Sequence, residues 1–387
     1  MPSQSDYVVL SPDCYLKLLE EPYVYNVAID DLYETNEAAF EFLKLCDGSC
    51  QIGNLQFEQP FFDWCLEEGI LSLNRTGTKR DFIVKQAPRP SLRYLELQIT
   101  GRCNLQCRHC YLGQAKPLDL PVEKIRIVLK EFQVMQGLRL LVSGGEPLLH
   151  RDFWEINRML PEFGFRSVLL TNGTLIDSET AGKLNVHEAQ VSLDGMEESH
   201  DFLRGRGSFS KALQAIKALL SAGKEVSVAT MVHARNLRDF PEMKKLIEHL
   251  DIKEWNVDVP CASGNLAVFP EFQVPYPEAA PFLEYSFGGG LYSSSSGYAC
   301  GSHLCTITAE GLVAKCGFFS HQPAGHIDEG LGVCWRKIKH LKLEELNCSC
   351  QYLDECRGGC RYRALLHKDI IAPDPVQCYL RGLGKQS

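Results

Sequence analysis

Residues 94–110 read YLELQITGRCNLQCRHC, an apolar run followed at once by three cysteines. The run 94–99 has the length and composition of a buried strand of a parallel sheet. Cys103, Cys107 and Cys110 then share one loop. Three thiolates can hold three irons of a cubane 4Fe-4S cluster and leave the fourth iron open to a small molecule. The stretch therefore predicts a strand that leads into an iron-sulfur cluster loop.

Zinc is the alternative metal for these three thiols. Structural zinc sites use four ligands, usually as two closely spaced pairs from separate hairpins. Three cysteines separated by three and then two residues on one loop favour the cluster over zinc.

The pattern of residues 94–262 is that of an α/β barrel, because short apolar runs alternate with amphipathic stretches. The predicted strands are 94–99, 138–142, 167–170, 189–193, 226–231 and 255–259. The predicted helices lie near 121–135, 151–162, 177–184, 209–222 and 238–250. We therefore predict a partial (β/α)6 TIM-like barrel over residues 93–262, with its chemistry after the carboxyl ends of the strands.

Polar groups follow three of these predicted strands. Gly144 and Gly145 come after the second strand, where glycine lets backbone approach a ligand closely. Glu146 can accept a hydrogen bond from an ammonium group, whereas a plain tight turn gives no reason for an acid there. The third and fourth strands end in further hydroxyl, amide and carboxylate groups, those of Thr171, Asn172, Ser192 and Asp194. All of them are expected at one mouth of the barrel.

The cysteine spacing resembles the defining motif of the radical S-adenosylmethionine (SAM) superfamily, and residues 144–147 resemble its Gly-Gly-Glu motif. The resemblance implies that the open iron binds the amino and carboxylate groups of SAM. Reductive cleavage then yields a 5'-deoxyadenosyl radical that takes hydrogen from the substrate, with an electron donor such as flavodoxin or ferredoxin. It also implies that Ser192 and Asp194 contact ribose or carboxylate, that Arg204 pairs with the SAM carboxylate, and that the Tyr111 backbone touches adenine. A solvated helix entry stays open for Arg204 and a packed core position for Tyr111.

Residues 263–387 lose the regular pattern and are rich in glycine, serine, proline and cysteine, so we expect metal ligation to hold this segment together. Its cysteines suffice for two four-thiolate clusters, with zinc again the alternative. The eight candidates are Cys300, Cys305, Cys316, Cys348, Cys350, Cys356, Cys360 and Cys378.

The spacing of these cysteines resembles the SPASM domain, which follows the barrel in one large subgroup of radical SAM enzymes. One residue separates Cys348 from Cys350 where the family has two, which puts ligation by Cys348 in doubt. The resemblance implies two auxiliary 4Fe-4S clusters, and so three clusters in all. The inner auxiliary cluster would take Cys300, Cys305, Cys316 and Cys360, and the outer one Cys348, Cys350, Cys356 and Cys378.

Two residues near the predicted sixth strand are candidates for catalysis. Cys261 follows that strand at the expected mouth of the barrel, beside Asp258, and either residue could hydrogen-bond to the substrate or accept a proton. The other cysteines outside the motifs read as small buried apolar residues.

Residues 1–73 read as a separate winged-helix-like module, with strands 7–10 and 24–29, helices 37–45 and 59–68, and a linker over 74–92. The module looks like the precursor-recognition element fused to many SPASM-containing peptide maturases, in which a leader peptide adds to a sheet as a strand. This resemblance implies a ribosomally made precursor peptide as partner, modified by a thioether, a carbon-carbon link or an altered stereocentre.

Composition excludes several other functions. A net charge of -9 argues against nucleic acid as a partner, and no apolar run is long enough to span a membrane. We expect a soluble cytoplasmic enzyme. Two readings stay open beside peptide maturation: a radical enzyme acting on a small molecule, cofactor, tetrapyrrole or protein side chain, and a non-catalytic iron-sulfur electron carrier or peptide-binding scaffold.

Overall fold

The computed structural model describes residues 3–289 and 297–384. The Gly/Ser-rich run 288–296 predicts a flexible connection, and most of it lies outside the described residues. Within the described ranges, no helix has the length and apolar character needed to cross a lipid bilayer.

The N-terminal unit contains two three-stranded antiparallel sheets and two helices. Its elements are β1 (Tyr7–Leu10), β2 (Cys14–Leu18), β3 (Pro22–Asn26), β4 (Asp31–Glu34), α1 (Glu37–Leu45), β5 (Asp47–Gln51), α2 (Gln59–Glu67) and β6 (Leu71–Asn74). One sheet has the order β5–β1–β6 and the other is the meander β2–β3–β4. The sequence pattern predicts β1, both helices and, with shifted ends, β3. It misses the other four strands because short polar segments such as DGSCQ of β5 owe their pairing to neighbours rather than to residue preference.

The barrel follows with the predicted alternation of strands and helices. Its strands are β7 (Tyr94–Thr100), β8 (Arg139–Gly144), β9 (Arg166–Thr171), β10 (Glu188–Ser192), β11 (Glu225–Met231) and β12 (Glu254–Asp258). Its helices are α3 (Val122–Val134), α4 (Phe153–Met159), α5 (Ser178–Lys183), α6 (Glu197–Arg204), α7 (Ser208–Ser221) and α8 (Phe240–His249). All six strands pair in parallel and in chain order, which confirms the partial barrel. Helix α6 is absent from the prediction because its sequence, EESHDFLR, is short and strongly polar.

The C-terminal segment is more regular than its composition predicts. Its elements are α9 (Asn265–Val268), α10 (Tyr276–Ala279), β13 (Leu304–Ile307), β14 (Leu312–Ala314), β15 (Gly325–His326), α11 (Leu331–Lys337), α12 (Leu353–Cys356), α13 (Arg361–His367) and α14 (Pro375–Leu380). Strand β13 pairs in parallel with β7, so β13, β14 and β15 extend the barrel sheet to nine strands. Strand pairing therefore stabilises this segment together with any metal.

Side chains of β13 alternate between the two faces of the sheet. The Thr306 hydroxyl donates to Glu96 Oε2 at 2.7 Å, on the face that also carries Tyr111 and Ser143. Cys305 must therefore point to the opposite face, and it is fully buried there in the hydrophobic core that includes Trp335. The register of this strand decides which cysteines reach the barrel mouth.

The β2–β3–β4 meander packs against the end of the barrel opposite the mouth. The ammonium of Lys17 donates to the carbonyl oxygens of Gly137 and Gly164, each at 2.7 Å, in the loops that lead into β8 and β9. The guanidinium of Arg166, at the start of β9, donates to the Val27 carbonyl oxygen at 3.0 Å and pairs with Glu225. The N-terminal unit is thus part of the packing of the barrel as well as a module beside it.

We expect Lys17 to make the stability of the protein depend on pH. Burial lowers its pKa to about 7. Between pH 7 and the pKa of an ordinary lysine, the unfolded chain therefore binds more protons than the folded chain. The free energy of unfolding should rise through this range by about 1 kcal/mol per pH unit, relative to Lys17→Met. The measurement is the difference in urea unfolding midpoint between the parent protein and Lys17→Met at pH 7, 8 and 9.

The matched control is Lys183→Met, which removes an exposed lysine paired with Glu179. The difference in free energy of unfolding between Lys183→Met and the parent protein should stay constant over the same pH range. A flat difference for Lys17→Met as well would contradict the prediction.

Candidate active site

The loop after β7 presents the first three cysteines at the carboxyl ends of the barrel strands, as predicted. Cys107 is buried, while Cys103 and Cys110 are half-buried. The loop is tied to the end of β9 by Asn104, whose amide oxygen accepts from Asn172 Nδ2 at 3.0 Å and whose Nδ2 donates to Thr174 Oγ1 at 2.7 Å. The three thiols are thereby held beside the polar groups that end β8 and β9.

Gly144, the last residue of β8, and Gly145 leave room for the backbone of this loop. Gly144 has a φ of +145°, and a Cβ there would lie 2.3 Å from the Thr100 carbonyl oxygen. A Cβ on Gly145 would lie 2.2 Å from the Arg102 carbonyl oxygen and 2.9 Å from the Cβ of Cys103. The close approach of the cluster loop therefore requires glycine at both positions, and the close approach of a ligand stays a prediction.

Glu146 is fully buried and joins β8 to β9. Its carboxylate accepts from the Thr171 hydroxyl at 2.9 Å and from the Asn172 backbone N–H at 2.9 Å. Burial raises the pKa of Glu146 to about 7, and these hydrogen bonds oppose that shift. The structure thus brings Glu146, Thr171 and Asn172 together as predicted, with the acid engaged by groups of the chain itself.

Asp194 and Arg204 form a buried ion pair next to the cluster loop. Arg204 Nε donates to Asp194 Oδ2, and Arg204 Nη1 lies 3.9 Å from Cys107 Sγ. Burial raises the pKa of Asp194, but Arg204 and His109 outweigh it and the net shift is strongly downward. In the structure Arg204 pairs with Asp194 and lies near a thiol, and its pairing with a SAM carboxylate stays a prediction.

The remaining predicted cofactor residues lie on the inner side of the barrel. The Tyr111 hydroxyl donates to Glu96 Oε1 at 2.8 Å and accepts from Gln98 Nε2 at 3.1 Å, so the ring belongs to a polar network in the barrel. Ser192 ends β10 and is half-buried. Glu96 has no signal in the sequence, because a single acid inside a strand reads as a solvent-facing residue.

His109 is a second site residue that the sequence pattern misses. Its Nε2 lies 3.6 Å from Asp194, and burial lowers its pKa to about 3, so the imidazole is neutral. Its Nδ1 is buried without a hydrogen-bond partner among the described residues. The sequence signal for His109 is its position between two motif cysteines. This signal is weak, because a lone histidine is usually a packed residue.

The donor set of the loop fits an iron-sulfur cluster. The three thiols interact electrostatically with one another and with Arg204. Burial raises the pKa of Cys107 to about 11, so metal binding would release protons from thiols that are otherwise neutral. Within residues 3–289 and 297–384, no three His, Cys, Asp or Glu side chains converge on one point as the ligands of a single metal ion would.

The C-terminal thiols form two groups. Cys300 and Cys316 each interact electrostatically with Cys360, and the side chains of Cys360 and Cys261 are hydrogen-bonded. That hydrogen bond lowers the pKa of Cys360 and raises the pKa of Cys261. The second group matches the predicted outer set, since Cys378 interacts with Cys348, Cys350 and Cys356. Despite its unusual spacing, Cys348 lies with the outer set.

Cys305 is separated from the group in which the resemblance to the SPASM domain placed it. Its electrostatic neighbours are Cys334 and Glu96, and its thiol points into the hydrophobic core behind the sheet. The reason is the strand register described above, which turns Cys305 away from the mouth. Cys261, predicted as a proton acceptor, occupies the position beside Cys360 instead.

Asp258 also has a different neighbourhood from the one predicted. Its Oδ1 accepts from Arg363 Nη1 at 3.0 Å, and the same nitrogen donates to the Val259 carbonyl oxygen at 2.7 Å. Arg363 pairs on its other side with Asp374. Asp258 therefore fastens the end of β12 to α13, next to Cys360, and no longer reads as a free base.

Comparison with known families identifies the central part of the chain. Residues 97–247 match the radical SAM superfamily. This segment is a radical SAM domain. The matched residues contain the three-cysteine loop, the Glu146 group and the Asp194–Arg204 pair.

Similar proteins of known function act on two kinds of substrate. The chain is 26% identical over 344 residues to the AdoMet-dependent heme synthase of Oleidesulfovibrio alaskensis, covering 75% of this chain and 88% of the relative. It is 28% identical over 352 residues to the Fe-coproporphyrin III synthase of Methanosarcina barkeri, covering 73% and 86%. It is 28% identical over 325 residues to the mycofactocin maturase MftC of Mycobacterium ulcerans, covering 74% and 88%.

Solved structures share the fold. The chain superposes on Streptococcus suis SuiB bound to the precursor peptide SuiA with a TM-score of 0.68 at 14% identity, covering 95% of this chain and 98% of SuiB. The match to anSMEcpe bound to AdoMet and the Cp18Cys peptide has a TM-score of 0.57 at 18% identity, covering 76% and 94%.

We expect the Asp194–Arg204 pair to hold the cluster loop in place. Arg204→Met leaves the Asp194 carboxylate buried and unpaired, which should lower the free energy of unfolding by about 3–5 kcal/mol. Arg206→Met, two residues on and exposed, is the control and should change it by less than about 0.5 kcal/mol. Urea denaturation of the metal-free proteins measures both, and equal midpoints for the two variants would contradict the prediction.

Proposed function

We propose that this protein is a peptide-maturing radical SAM enzyme with two auxiliary 4Fe-4S clusters. The observation that carries the proposal is the open three-thiol loop of a radical SAM domain, joined in one chain to an N-terminal unit whose fold is shared with a peptide-bound enzyme. We place the enzyme in the cytoplasm, with flavodoxin or ferredoxin as the electron donor.

The residues at the barrel mouth have distinct roles in this proposal. Cys103, Cys107 and Cys110 would hold a 4Fe-4S cluster, which would bind SAM at its open iron and pass on the electron for reductive cleavage that the electron donor supplies. Arg204 places positive charge 3.9 Å from Cys107 Sγ, which favours the thiolate form that ligation requires. Gly144 and Gly145 let the loop lie flat on the strand ends, and Glu146 fixes β8 against β9. Ser192 and the Tyr111 backbone are left to contact the nucleoside.

The N-terminal unit supports a peptide substrate. Residues 74–387 make up about four fifths of the chain, so a match that covers 95% of it must include much of residues 1–73. The match to anSMEcpe covers only 76%. In the described part of the chain, β6 pairs with β1 alone and forms the edge of its sheet. An added peptide strand would have the backbone of β6 as its partner.

The alternative substrate is a tetrapyrrole, favoured by the similarity to heme and Fe-coproporphyrin III synthases. Those matches cover 73–75% of this chain and the match to MftC covers 74%, so the coverage of these relatives does not separate the two substrates. A peptide substrate gives the N-terminal unit a function, and a tetrapyrrole does not.

The thiol groups of the C-terminal segment fit two four-cysteine clusters, with one change from the expected ligands. The inner cluster takes Cys261, Cys300, Cys316 and Cys360, because the register of β13 turns Cys305 to the far side of the sheet. The outer cluster takes Cys348, Cys350, Cys356 and Cys378. With the first loop, the protein would hold about twelve irons and twelve sulfides.

We expect Cys261→Ala and Cys305→Ala to separate these two ligand sets. Cys261→Ala should lose about four irons per chain, because the inner cluster loses a ligand. Cys305→Ala should keep about twelve irons, since it removes only a buried thiol from the core. Iron and sulfide analysis after anaerobic reconstitution measures both. Loss of iron in Cys305→Ala with full loading of Cys261→Ala would restore the original assignment.

The substrate is tested by offering both classes to the reconstituted enzyme with SAM and a strong reductant. The probes are the peptide encoded by a short reading frame beside the gene and iron coproporphyrin III. We expect 5'-deoxyadenosine with loss of two hydrogens from the peptide for a cross-link, or deuterium uptake from heavy water for epimerisation. Modification of the porphyrin with an unchanged peptide would favour the alternative, and no 5'-deoxyadenosine with either would favour an electron carrier.

Two controls sharpen this experiment. Cys110→Ala should give no 5'-deoxyadenosine, whereas Cys50→Ala, in the N-terminal unit, should behave like the parent enzyme. Deleting residues 1–73 is unsuitable because it removes Lys17 and the other groups packed under the barrel. Free leader peptide added in excess should instead raise the KM for full-length precursor and leave turnover of the leaderless core peptide unchanged.

A further inference from the structure

The group of thiols proposed for the inner auxiliary cluster has two cations beside it. Lys315 interacts electrostatically with three of these thiols, Cys300, Cys316 and Cys360. Arg361 interacts with Cys300. They come from different elements, since Lys315 follows β14 and Arg361 begins α13. The two side chains differ in what else they bind.

The guanidinium of Arg361 is used by the backbone around the thiols. It donates to the Ile370 carbonyl oxygen at 3.0 Å, to the Ala372 carbonyl oxygen at 2.9 Å, to Gly359 at 3.2 Å, and to Gly358. Arg361 therefore shapes the loop between Cys360 and Cys378, and its hydrogen-bonding capacity is taken up there.

The ammonium of Lys315 makes no comparable hydrogen bonds with the described residues. Its Nζ is buried and has no hydrogen-bond partner among the described residues. A buried charge without a partner is costly, so it is retained where another charge compensates it. The charged or ionisable groups near it are Arg361, His340 and the thiols of Cys300, Cys316 and Cys360. Of these, only the thiols can supply negative charge, because they become thiolates when they bind iron.

A four-thiolate 4Fe-4S cluster carries a net negative charge that grows by one on reduction. We propose that Lys315 is the counter-ion of the inner auxiliary cluster and raises its reduction potential. The inference rests on the auxiliary clusters of the proposed function. Lys315 would act on the cluster and not on the substrate. Its ammonium would stabilise the more negative, reduced form of the cluster, because the site has a low dielectric.

The outer cluster provides an internal reference. The electrostatic neighbours of Lys315 include three proposed inner ligands and none of Cys348, Cys350, Cys356 and Cys378. A change at Lys315 should therefore act on one auxiliary cluster and leave the other as it was.

The test is a redox titration followed by electron paramagnetic resonance on the full chain with Cys103, Cys107 and Cys110 replaced by alanine, so that only auxiliary clusters contribute. Lys315→Met should lower the midpoint potential of one auxiliary cluster and leave the second unchanged. Lys315→Arg should restore the parent value. Lys342→Met, which removes an exposed lysine of the same segment, is the control and should change neither potential.

Each outcome decides between the two proposals. Equal potentials in Lys315→Met and the parent protein would overturn the counter-ion role while leaving the clusters in place. If the parent protein itself holds no auxiliary clusters, the proposed ligand sets fail. If Lys315→Met loses about four irons, Lys315→Gln and Lys315→Arg decide. If Lys315→Arg keeps its iron and Lys315→Gln loses it, the positive charge is required. If Lys315→Arg also loses about four irons, the side chain of Lys315 is needed for its shape, and the proposal is overturned.

Discussion

The buried pair of Asp194 and Arg204 is the interaction on which the active site depends. It connects the end of β10 to the cluster loop, because Arg204 binds the carboxylate on one side and reaches Cys107 Sγ on the other. A buried carboxylate needs such a partner, and here the partner is also the cation next to a thiol. Asp194 is held further by the Met231 backbone N–H at 2.7 Å. The loop, two barrel strands and helix α6 are thus joined at one point.

The opposite end of the barrel is closed by the N-terminal unit. Lys17 satisfies two carbonyl oxygens of the loops leading into β8 and β9, and Arg166 bonds back to the meander. These buried polar contacts leave little freedom between the two parts, since each would be unsatisfied if the parts separated. The module that we propose to bind a precursor is therefore fixed to the enzyme, while the β6 edge of its other sheet stays open to a strand.

The thiols proposed for the inner auxiliary cluster come from distant parts of the chain. Cys261 comes from the end of the barrel, Cys316 from a hairpin that extends the barrel sheet, and Cys360 from the start of α13. Arg363 fastens these parts together by bonding Asp258 and Asp374. Protein packing therefore brings the thiols together, and metal binding adds to an arrangement that strands and ion pairs already support.

Local sequence alone was enough for the barrel and the first thiol loop. The six strands, the helices between them other than α6, and the three-cysteine loop follow from short-range patterns. A buried parallel strand needs a continuous apolar run, and the first three thiols lie on one short loop. The short polar strands of the N-terminal unit carry no such pattern. The partners of Arg204 and of the C-terminal thiols were decided only by the tertiary structure. The family resemblance placed Cys305 with Cys300, but pairing of β13 with β7 turned Cys305 to the far face, and Cys261 lies beside Cys360. Strand register is a long-range property, and one residue of register exchanges the two faces of a sheet.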